Sequence, residues 1–326
     1  MADLIEAFDA VLSDLDGVVY AGPSAIPGAV EALRRLEPRG VRLGYVTNNA
    51  SRTPAEVAAH LRDLGAPAED DDVVSSAQAG AELLAKKVPA GARVLVTGSV
   101  ALAREVEHRG LHAVRSAKEV PDAVIQGFSP DLGWTDLAEA AYAVAGGALW
   151  IATNTDMSIP QARGIAPGNG TLVAAVRAAT GREPLVAGKP EAPLFLAAAE
   201  RLGSRNPVVV GDRLDTDILG GNRAGFATAA VLTGVDTKES VLAARAAERP
   251  RYLLATLDDF FRPYPEAAAE DGAWRVGSSS ARAAGDRLDI AGDSEDLDSW
   301  RAACAAWWDA NPESDRAAAP RITWVH

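Results

Sequence analysis

"FDAVLSDLDGVVYAG", residues 8–22, decides how the rest of the chain is understood. An apolar run leads straight into Asp14 and Asp16, separated by Leu15 and followed by Gly17. Apolar residues without alternation suit a strand buried on both faces, so the two carboxylates stand at the mouth of such a strand. Side by side they repel, and one would ordinarily take up a proton. A pair placed there needs either a cation or a division of labour between its members.

The surrounding pattern gives that strand its partners. "GAVEALRRLEPRG" (28–40) reads as a helix stopped by Gly40, and "VRLGYVTNN" (41–49) as a second strand. "TPAEVAAHLRDLG" (53–65) follows as a helix, with Thr53 as N-cap, Pro54 at the first helical position and Gly65 as the stop. This βαβα order predicts a parallel sheet with crossover helices. A second series comprises strand "ARVLVTG" (92–98), helix "VALAREVEHRG" (100–110), strand "DAVIQGF" (122–128), helix "TDLAEAAYAVAGG" (135–147) and strand "ALWIATN" (148–154). A third comprises helix "EAPLFLAAAERLG" (191–203), strand "NPVVVGD" (206–212), helix "LDTDILGGNRAG" (214–225) and strand "FATAAVLTG" (226–234). The expected fold is α/β: a doubly wound parallel-sheet core, an inserted α/β domain and a small α+β extension at the C-terminus.

Four stretches end predicted strands with polar residues: "SDLDG" (13–17), "VTNN" (46–49), "GKP" (188–190) and "GDRLDTD" (211–217). Open parallel sheets bind ligands outside the carboxyl ends of their strands, so these stretches are expected to converge. Asp14, Asp16 and Asp212 supply oxygen ligands suited to a hard dication, magnesium above all. A bound dication removes the repulsion of the pair and keeps Asp14 ionised as a nucleophile. Thr47, the Asn48 amide and the Lys189 ammonium complement the negative charge of a transferring phosphoryl group. Asp16 is then left to protonate a leaving alkoxide and to deprotonate an attacking water. That role requires a raised proton affinity, which a neighbouring anion and partial burial tend to give.

This set, DxDG…TNN…GKP…GDRLDTDI, resembles the haloacid dehalogenase (HAD) superfamily phosphatases. "TNNASRTPAEVAAHL" and "GDRLDTDILGGNRAG" resemble its NagD-type branch, in which a large α/β cap lies between the second and third motifs. "WIATNTD" (150–156) with "IAPGNGTLVAAV" (165–176) is similar to that branch's cap-end segment. Where the branch carries Asn-Pro-Asp, this chain has Asn154-Thr155-Asp156, without the rigid proline. "DVVSSAQ", "GWTDLAEAA", "GNGTLVAA" and "VAGKP" resemble, more narrowly, the actinobacterial glycerol-3-phosphate phosphatases of this branch. The resemblance covers residues 8–260.

It implies a core formed by residues 1–76 and 183–262, an α/β cap at 77–182, and a tryptophan-rich extension at 263–326 that is partly acetyltransferase-like. It implies Asp14 as nucleophile and metal ligand, and Asp16 as general acid/base and ligand through its main-chain carbonyl. Thr47 and Asn48, with Asn49 behind them, would hold phosphate. Lys189 would neutralise charge, Asp212 would complete the Mg2+ site, and Asp217 would bind the metal or support it through water. Asn154 and Asp156, with Arg163, are candidate substrate contacts of the cap-end loop. The expected reaction is magnesium-dependent hydrolysis of a small phosphomonoester, glycerol 3-phosphate first, through an aspartyl-phosphate. Phosphoglycolate, a sugar phosphate or a nucleoside monophosphate is the alternative, and 4-nitrophenyl phosphate an in-vitro one. An idle scaffold working through its C-terminal extension is the rival of another class.

Composition bounds the partners. The chain has 326 residues, 48% hydrophobic and 24% charged, with a net charge of −13. Phosphate-backbone binding needs clustered Lys and Arg, so no nucleic-acid partner is expected. No window is long and apolar enough for a membrane span, and the first residues lack the basic and apolar regions of a signal peptide. One cysteine, Cys304, allows no internal disulfide and favours a reducing, cytoplasmic setting. The four histidines (His60, His108, His112, His326) have no ligand spacing. "GNG" (168–170) reads as a turn and cap before a helix.

The end of the chain reads as an acidic, linker-like opening, strands at Trp274–Val276 and Arg287–Ile290, a helix capped by Asp298 or Ser299, and a closing strand "RITWVH". Five of seven tryptophans lie in residues 263–326, which suggests a packed unit with a docking or dimer-stabilising role and leaves a homo-oligomer open.

Overall fold

A computed structural model describes every residue except Met1, Ala162 and His326; the side chains of Pro160 and Gln161 are also outside the description. His326, the last residue of the expected closing strand, therefore lies outside the described residues. The chain forms two compact units, residues 1–43, 64–67 and 202–326 in one, and 44–63 and 68–201 in the other.

The first unit holds four parallel strands in the order Tyr252–Leu254, Ala227–Val231, Pro207–Gly211, Ala10–Ser13. Their residues are nearly all buried, as the unbroken apolar runs predict. Leu12 pairs with Val209, and Ser13 with Val210. The ladder runs one residue further, because the Asp14 amide donates to the Val210 carbonyl at 2.9 Å. That register sets Asp14 at the carboxyl edge beside the end of the strand that leads to Asp212. Asp9 fastens the opposite end, accepting from the amides of Arg205 (2.8 Å) and Asn206 (3.2 Å) and from the Ser204 hydroxyl. Burial opposes ionisation of Asp9, but these bonds and the charge of Arg42 hold its carboxyl below the usual range.

The second unit holds a five-stranded, wholly parallel sheet. Its order is Leu185–Val186, Leu149–Ala152, Ala123–Gln126, Arg93–Thr97, His112–Val114. Leu95, Val124 and Trp150 pack with apolar residues of helices Trp134–Ala145 and Asn169–Thr180 on one face. On the other, helix Ser76–Ala85 approaches through Gly80, where a Cβ would lie 3.1 Å from Ile125 Cδ1. Strand Val73–Ser75 pairs in parallel with Tyr45–Thr47. Helix Pro54–Asp63 starts as its sequence predicts: the Thr53 hydroxyl accepts from the Glu56 amide at 3.3 Å, while Glu56 accepts from the Thr53 amide at 2.7 Å.

The C-terminal residues are more ordered than the sequence suggests. Five strands run in the order Ala268–Glu270, Ala273–Val276, Ser279–Ala284, Arg287–Ala291, Arg321–Val325. All neighbours are antiparallel except the last two, which are parallel. The expected linker contains the first of these strands, joined to the next by Asp271 (φ 51°) and Gly272 (φ 74°). Two left-handed residues, Asp then Gly, are what a tight hairpin of this hand requires. Helix Leu297–Ala310 is capped by Asp296, which accepts from the Asp298 amide at 3.0 Å. The expected caps do other work. The hydroxyl of Ser299 is buried against that of Ser279 at 2.9 Å, and Asp298 pairs with Arg301 at 2.7 Å.

This extension shares one apolar core with the turn Leu214–Ile218, the helix Lys238–Leu242 and the strand Tyr252–Leu254 before it. Val276, Ala281, Leu288, Ile290, Trp300 and Trp307 pack in one cluster with Leu214, Ile218, Val241, Leu242 and Leu253. Arg301 donates twice to the Leu253 carbonyl, at 2.8 and 3.1 Å, and stacks 4.7 Å from the Tyr264 ring centre. The Trp308 indole donates to the Leu242 carbonyl at 3.1 Å. Cys304 is in the same core, and burial pushes its thiol far up.

Cutting the chain after residue 262 would bare Leu214, Ile218, Val241, Leu242 and Leu253 together, an apolar patch of the kind that aggregates. The truncated protein is expected in the insoluble fraction, or unfolding at a markedly lower temperature. A soluble product with an unchanged melting curve would contradict the shared core.

Candidate active site

Strand ends build the acidic part of the site within the first unit. Leu15 is 2% exposed and anchors the segment between the two aspartates. Asp14 is half-buried and Asp16 exposed, more open than the partial burial expected for a proton-transfer group. The turn after them is closed by the Gly17 amide on the Tyr20 carbonyl, 2.8 Å. Gly17 has φ 79°, and a Cβ there would stand 2.2 Å from Asp212 Oδ2. Only glycine allows both the left-handed backbone and that approach.

Asp212 and Asp217 are 3% and 1% exposed. Between them the chain makes a wide π-type turn, Leu214–Ile218, with the amides of Asp217 (3.0 Å) and Ile218 (3.2 Å) sharing the Arg213 carbonyl. Such turns recur at functional sites. Here it folds Asp217 back onto the strand end, so that a Cβ on Gly211 would lie 2.1 Å from Asp217 Cβ. Carboxylate oxygens of Asp14, Asp212 and Asp217 all lie within 4.8 Å of one another. The Asp16 carboxylate is outside this group.

One further segment holds the group in place, and the motif reading did not pick it out. After strand Ala227–Val231, the Val235 amide donates to Asp212 Oδ2 at 2.8 Å, and the Asp236 amide to the Asp212 carbonyl at 3.0 Å. Asp236 accepts from the Leu214 amide at 2.7 Å, and the Thr233 hydroxyl donates to the Gly17 carbonyl at 2.6 Å. A Cβ on Gly234 would be 2.0 Å from Asp212 Oδ2. "TGVDT" (233–237) follows a strand just as the four motifs do, and that position was the available signal.

Two glycines thus cradle Asp212 and a third cradles Asp217, fixing nearly buried carboxylates against one another. An oxygen-only donor set with clustered negative charge fits a hard dication such as Mg2+. The residues that would hold it are Asp14, Asp212 and Asp217.

The other predicted residues gather in the second unit. Asn48 is the hub. Its Oδ1 accepts from the Lys189 amide at 2.8 Å, and its Nδ2 donates to the Lys189 carbonyl at 3.2 Å and to the Asp156 carboxylate at 3.1 and 3.2 Å. Its amide therefore holds protein groups. Asn49 Oδ1 accepts from the amides of Ser51 and Arg52 and from the Ser51 hydroxyl, turning the loop toward its helix. The Thr47 hydroxyl accepts from the Asn49 amide at 3.1 Å.

Lys189 is 3% exposed, where a charge is costly to hold unless it is paired. Gly188 beside it packs against Asn48 Oδ1 and the Thr153 carbonyl, each 2.5 Å from where its Cβ would be.

The loop Asn154-Thr155-Asp156, without the proline expected from the resemblance, is held in another way. The Asp156 amide donates to Asn154 Oδ1 at 3.2 Å, and the Gly170 amide to the Asp156 carbonyl at 2.9 Å. A Cβ on Gly168 or Gly170 would lie 2.2 Å from the carbonyl oxygens of Asp156 and Thr155 respectively. Arg163 is exposed in the turn of the hairpin formed by Ser158–Gln161 and Gly164–Pro167.

Comparison with known proteins places this arrangement. A family model described as haloacid dehalogenase-like hydrolase matches residues 11–112, and a second HAD-hydrolase-like model matches residues 186–260. The chain belongs to the haloacid dehalogenase-like hydrolases and is an enzyme of their phosphatase branch. It is 44% identical to D-glycerol 3-phosphate phosphatase of Mycobacterium tuberculosis over 315 residues, 95% of this chain and 88% of that protein. It is 39% identical to the acid sugar phosphatase of Staphylococcus saprophyticus over 236 residues, 72% of this chain and 90% of that protein. Among solved structures it resembles the M. tuberculosis glycerol phosphate phosphatase in complex with magnesium. That match has a TM-score of 0.87 and 42% identity, covering 100% of this chain and 96% of the other. No helix among the described residues is long and apolar enough to cross a membrane.

Proposed function

We propose that the chain is a magnesium-dependent phosphomonoesterase of the cytoplasm whose substrate is glycerol 3-phosphate. The carrying observation is the cluster of Asp14 with the glycine-cradled Asp212 and Asp217 at adjacent strand ends. The 44% identity to a D-glycerol 3-phosphate phosphatase, which extends through the C-terminal extension, supports the substrate.

Asp14 attacks phosphorus, and the bond from phosphorus to the substrate alcohol breaks. Asp16, exposed and outside the triad, gives its proton to the leaving alkoxide. It then takes a proton from the water that attacks the aspartyl-phosphate, which frees inorganic phosphate and restores Asp14. Bound Mg2+ supplies positive charge that keeps Asp14 ionised and offsets charge on the phosphoryl oxygens. Lys189 adds a second fixed positive charge, and the loop Thr47–Asn49 holds the phosphate. Residues 77–182 act as the cap, with Asn154 and Asp156 at its substrate end, and exclude polymeric esters.

A panel tests this reading: both enantiomers of glycerol 3-phosphate, phosphoglycolate, sugar phosphates and nucleoside monophosphates, each with and without Mg2+. The highest kcat/KM is expected for one glycerol 3-phosphate enantiomer, and loss of turnover with chelator. A sugar phosphate hydrolysed better would overturn the substrate assignment, and full turnover in chelator would overturn the metal.

A further inference from the structure

Three asparagines, far apart in sequence, make the same bond one after another. Asn169 Nδ2 donates to the main-chain carbonyl of Asn154 at 2.7 Å. Asn154 Nδ2 donates to the carbonyl of Asn48 at 2.7 Å. Asn48 Nδ2 donates to the carbonyl of Lys189 at 3.2 Å, while its Oδ1 takes the Lys189 amide at 2.8 Å. The last step grips Lys189 by both of its peptide groups.

Asn169 is the far end of this chain. It opens helix Asn169–Thr180, is 1% exposed, and meets no hydrogen-bond donor at its Oδ1 among the described residues. Leaving an amide oxygen unsatisfied in the interior is unfavourable for stability. An apolar residue would avoid that penalty, so what the position uses is the Nδ2 donor. Its second acceptor, the Gln126 carbonyl at 3.4 Å, is long, and the bond to Asn154 is the strong one.

We propose that Asn169 is a positioning residue for the reaction, setting the Lys189 main chain through Asn154 and Asn48. The ammonium of a nearly buried lysine can reach only where its main chain allows, and a charge acts on a transition state only from a fixed place. Asn154 is the joint of the relay: its carbonyl receives Asn169, its Oδ1 takes the Asp156 amide, and its Nδ2 passes the constraint on. Asn48 delivers that constraint to the main chain of Lys189 and the carboxylate of Asp156 at once. This inference rests on the reading of Lys189 as a charge-bearing group of the reaction.

The test is a double-mutant cycle on the full-length enzyme with magnesium and glycerol 3-phosphate. Asn169→Ala and Asn169→Leu are each expected to lower kcat by about 10- to 100-fold. Leu nearly keeps the size, removes the donor and leaves no buried charge, so it carries the test if Ala fails to fold. Asn154→Ala is expected to lower kcat similarly, and Asn169→Ala/Asn154→Ala no further than Asn154→Ala alone, because the relay is already cut. A merely structural asparagine would give losses that add, or folded variants with kcat within twofold of the parent, and either result overturns the proposal. Lys189→Ala separates the two readings: if it retains full kcat the role of Lys189 fails, whereas if it is inactive and Asn169→Ala is not, only the relay fails.

Discussion

Replacing Asp14 with Asn is expected to lower phosphate release from glycerol 3-phosphate by about 10³-fold or more, the scale seen when a covalent nucleophile is removed. The amide has the same shape as the carboxylate. The bond from the residue-14 amide to the Val210 carbonyl and the buried Leu15 that follows do not depend on the side chain. The fold should therefore survive, with an unchanged or higher melting temperature once one of three crowded negative charges is gone. Far-ultraviolet circular dichroism and a thermal scan check the fold; a phosphate assay checks the activity. A folded variant that still releases phosphate would remove Asp14 as the nucleophile.

Gly234→Ala is expected to raise the Mg2+ concentration for half-maximal activity by about 10- to 100-fold, as changes behind a metal ligand do. The added Cβ would stand 2.0 Å from Asp212 Oδ2 and 2.5 Å from its Cγ. Asp212 is nearly buried and pinned by the Val235 amide on that same oxygen, so it cannot yield without leaving the triad. Activity should return in part at high Mg2+. Gly133→Ala is the matched control, because its Cβ would meet nothing closer than 3.9 Å. Titration of activity against Mg2+ for both variants makes the comparison. Equal half-saturation in the two would mean that the cradle is not what orients Asp212.

The parts of this molecule that could be read in its sequence are those whose cause is local. Unbroken apolar runs such as Val208–Val210 mark buried strands, and polar residues directly after them mark a carboxyl edge. Capping at Thr53 was legible for the same reason, whereas the return bond from the Thr53 amide to Glu56 was not read. What escaped depends on approaches between distant residues. The π-type turn that returns Asp217 to its strand has no local signature, and the spacing in "GDRLDTD" means something only beside a known family. The support of Asp212 by residues 233–236 could have been suspected from its place after a strand, but the steric demand on Gly234 comes from a side chain 22 positions away. The Asp271-Gly272 hairpin was readable from its two residues and was obscured by the acidic, proline-containing run before it. Asn48 shows the limit most clearly: as part of a TNN triplet it suggested contact with phosphate, yet its amide is engaged by a lysine main chain 141 residues on.

A burst experiment on Asp16→Asn with magnesium and 4-nitrophenyl phosphate tests the central claim most directly. Nitrophenolate leaves without a proton, so the first step should survive the loss of Asp16, while hydrolysis of the aspartyl-phosphate should stall for want of a base. The expected result is a burst of about one nitrophenolate per enzyme followed by a slow phase, with the retained phosphate on the peptide that carries Asp14. Steady turnover at the parent rate, with no burst and no phosphate on Asp14, would contradict it.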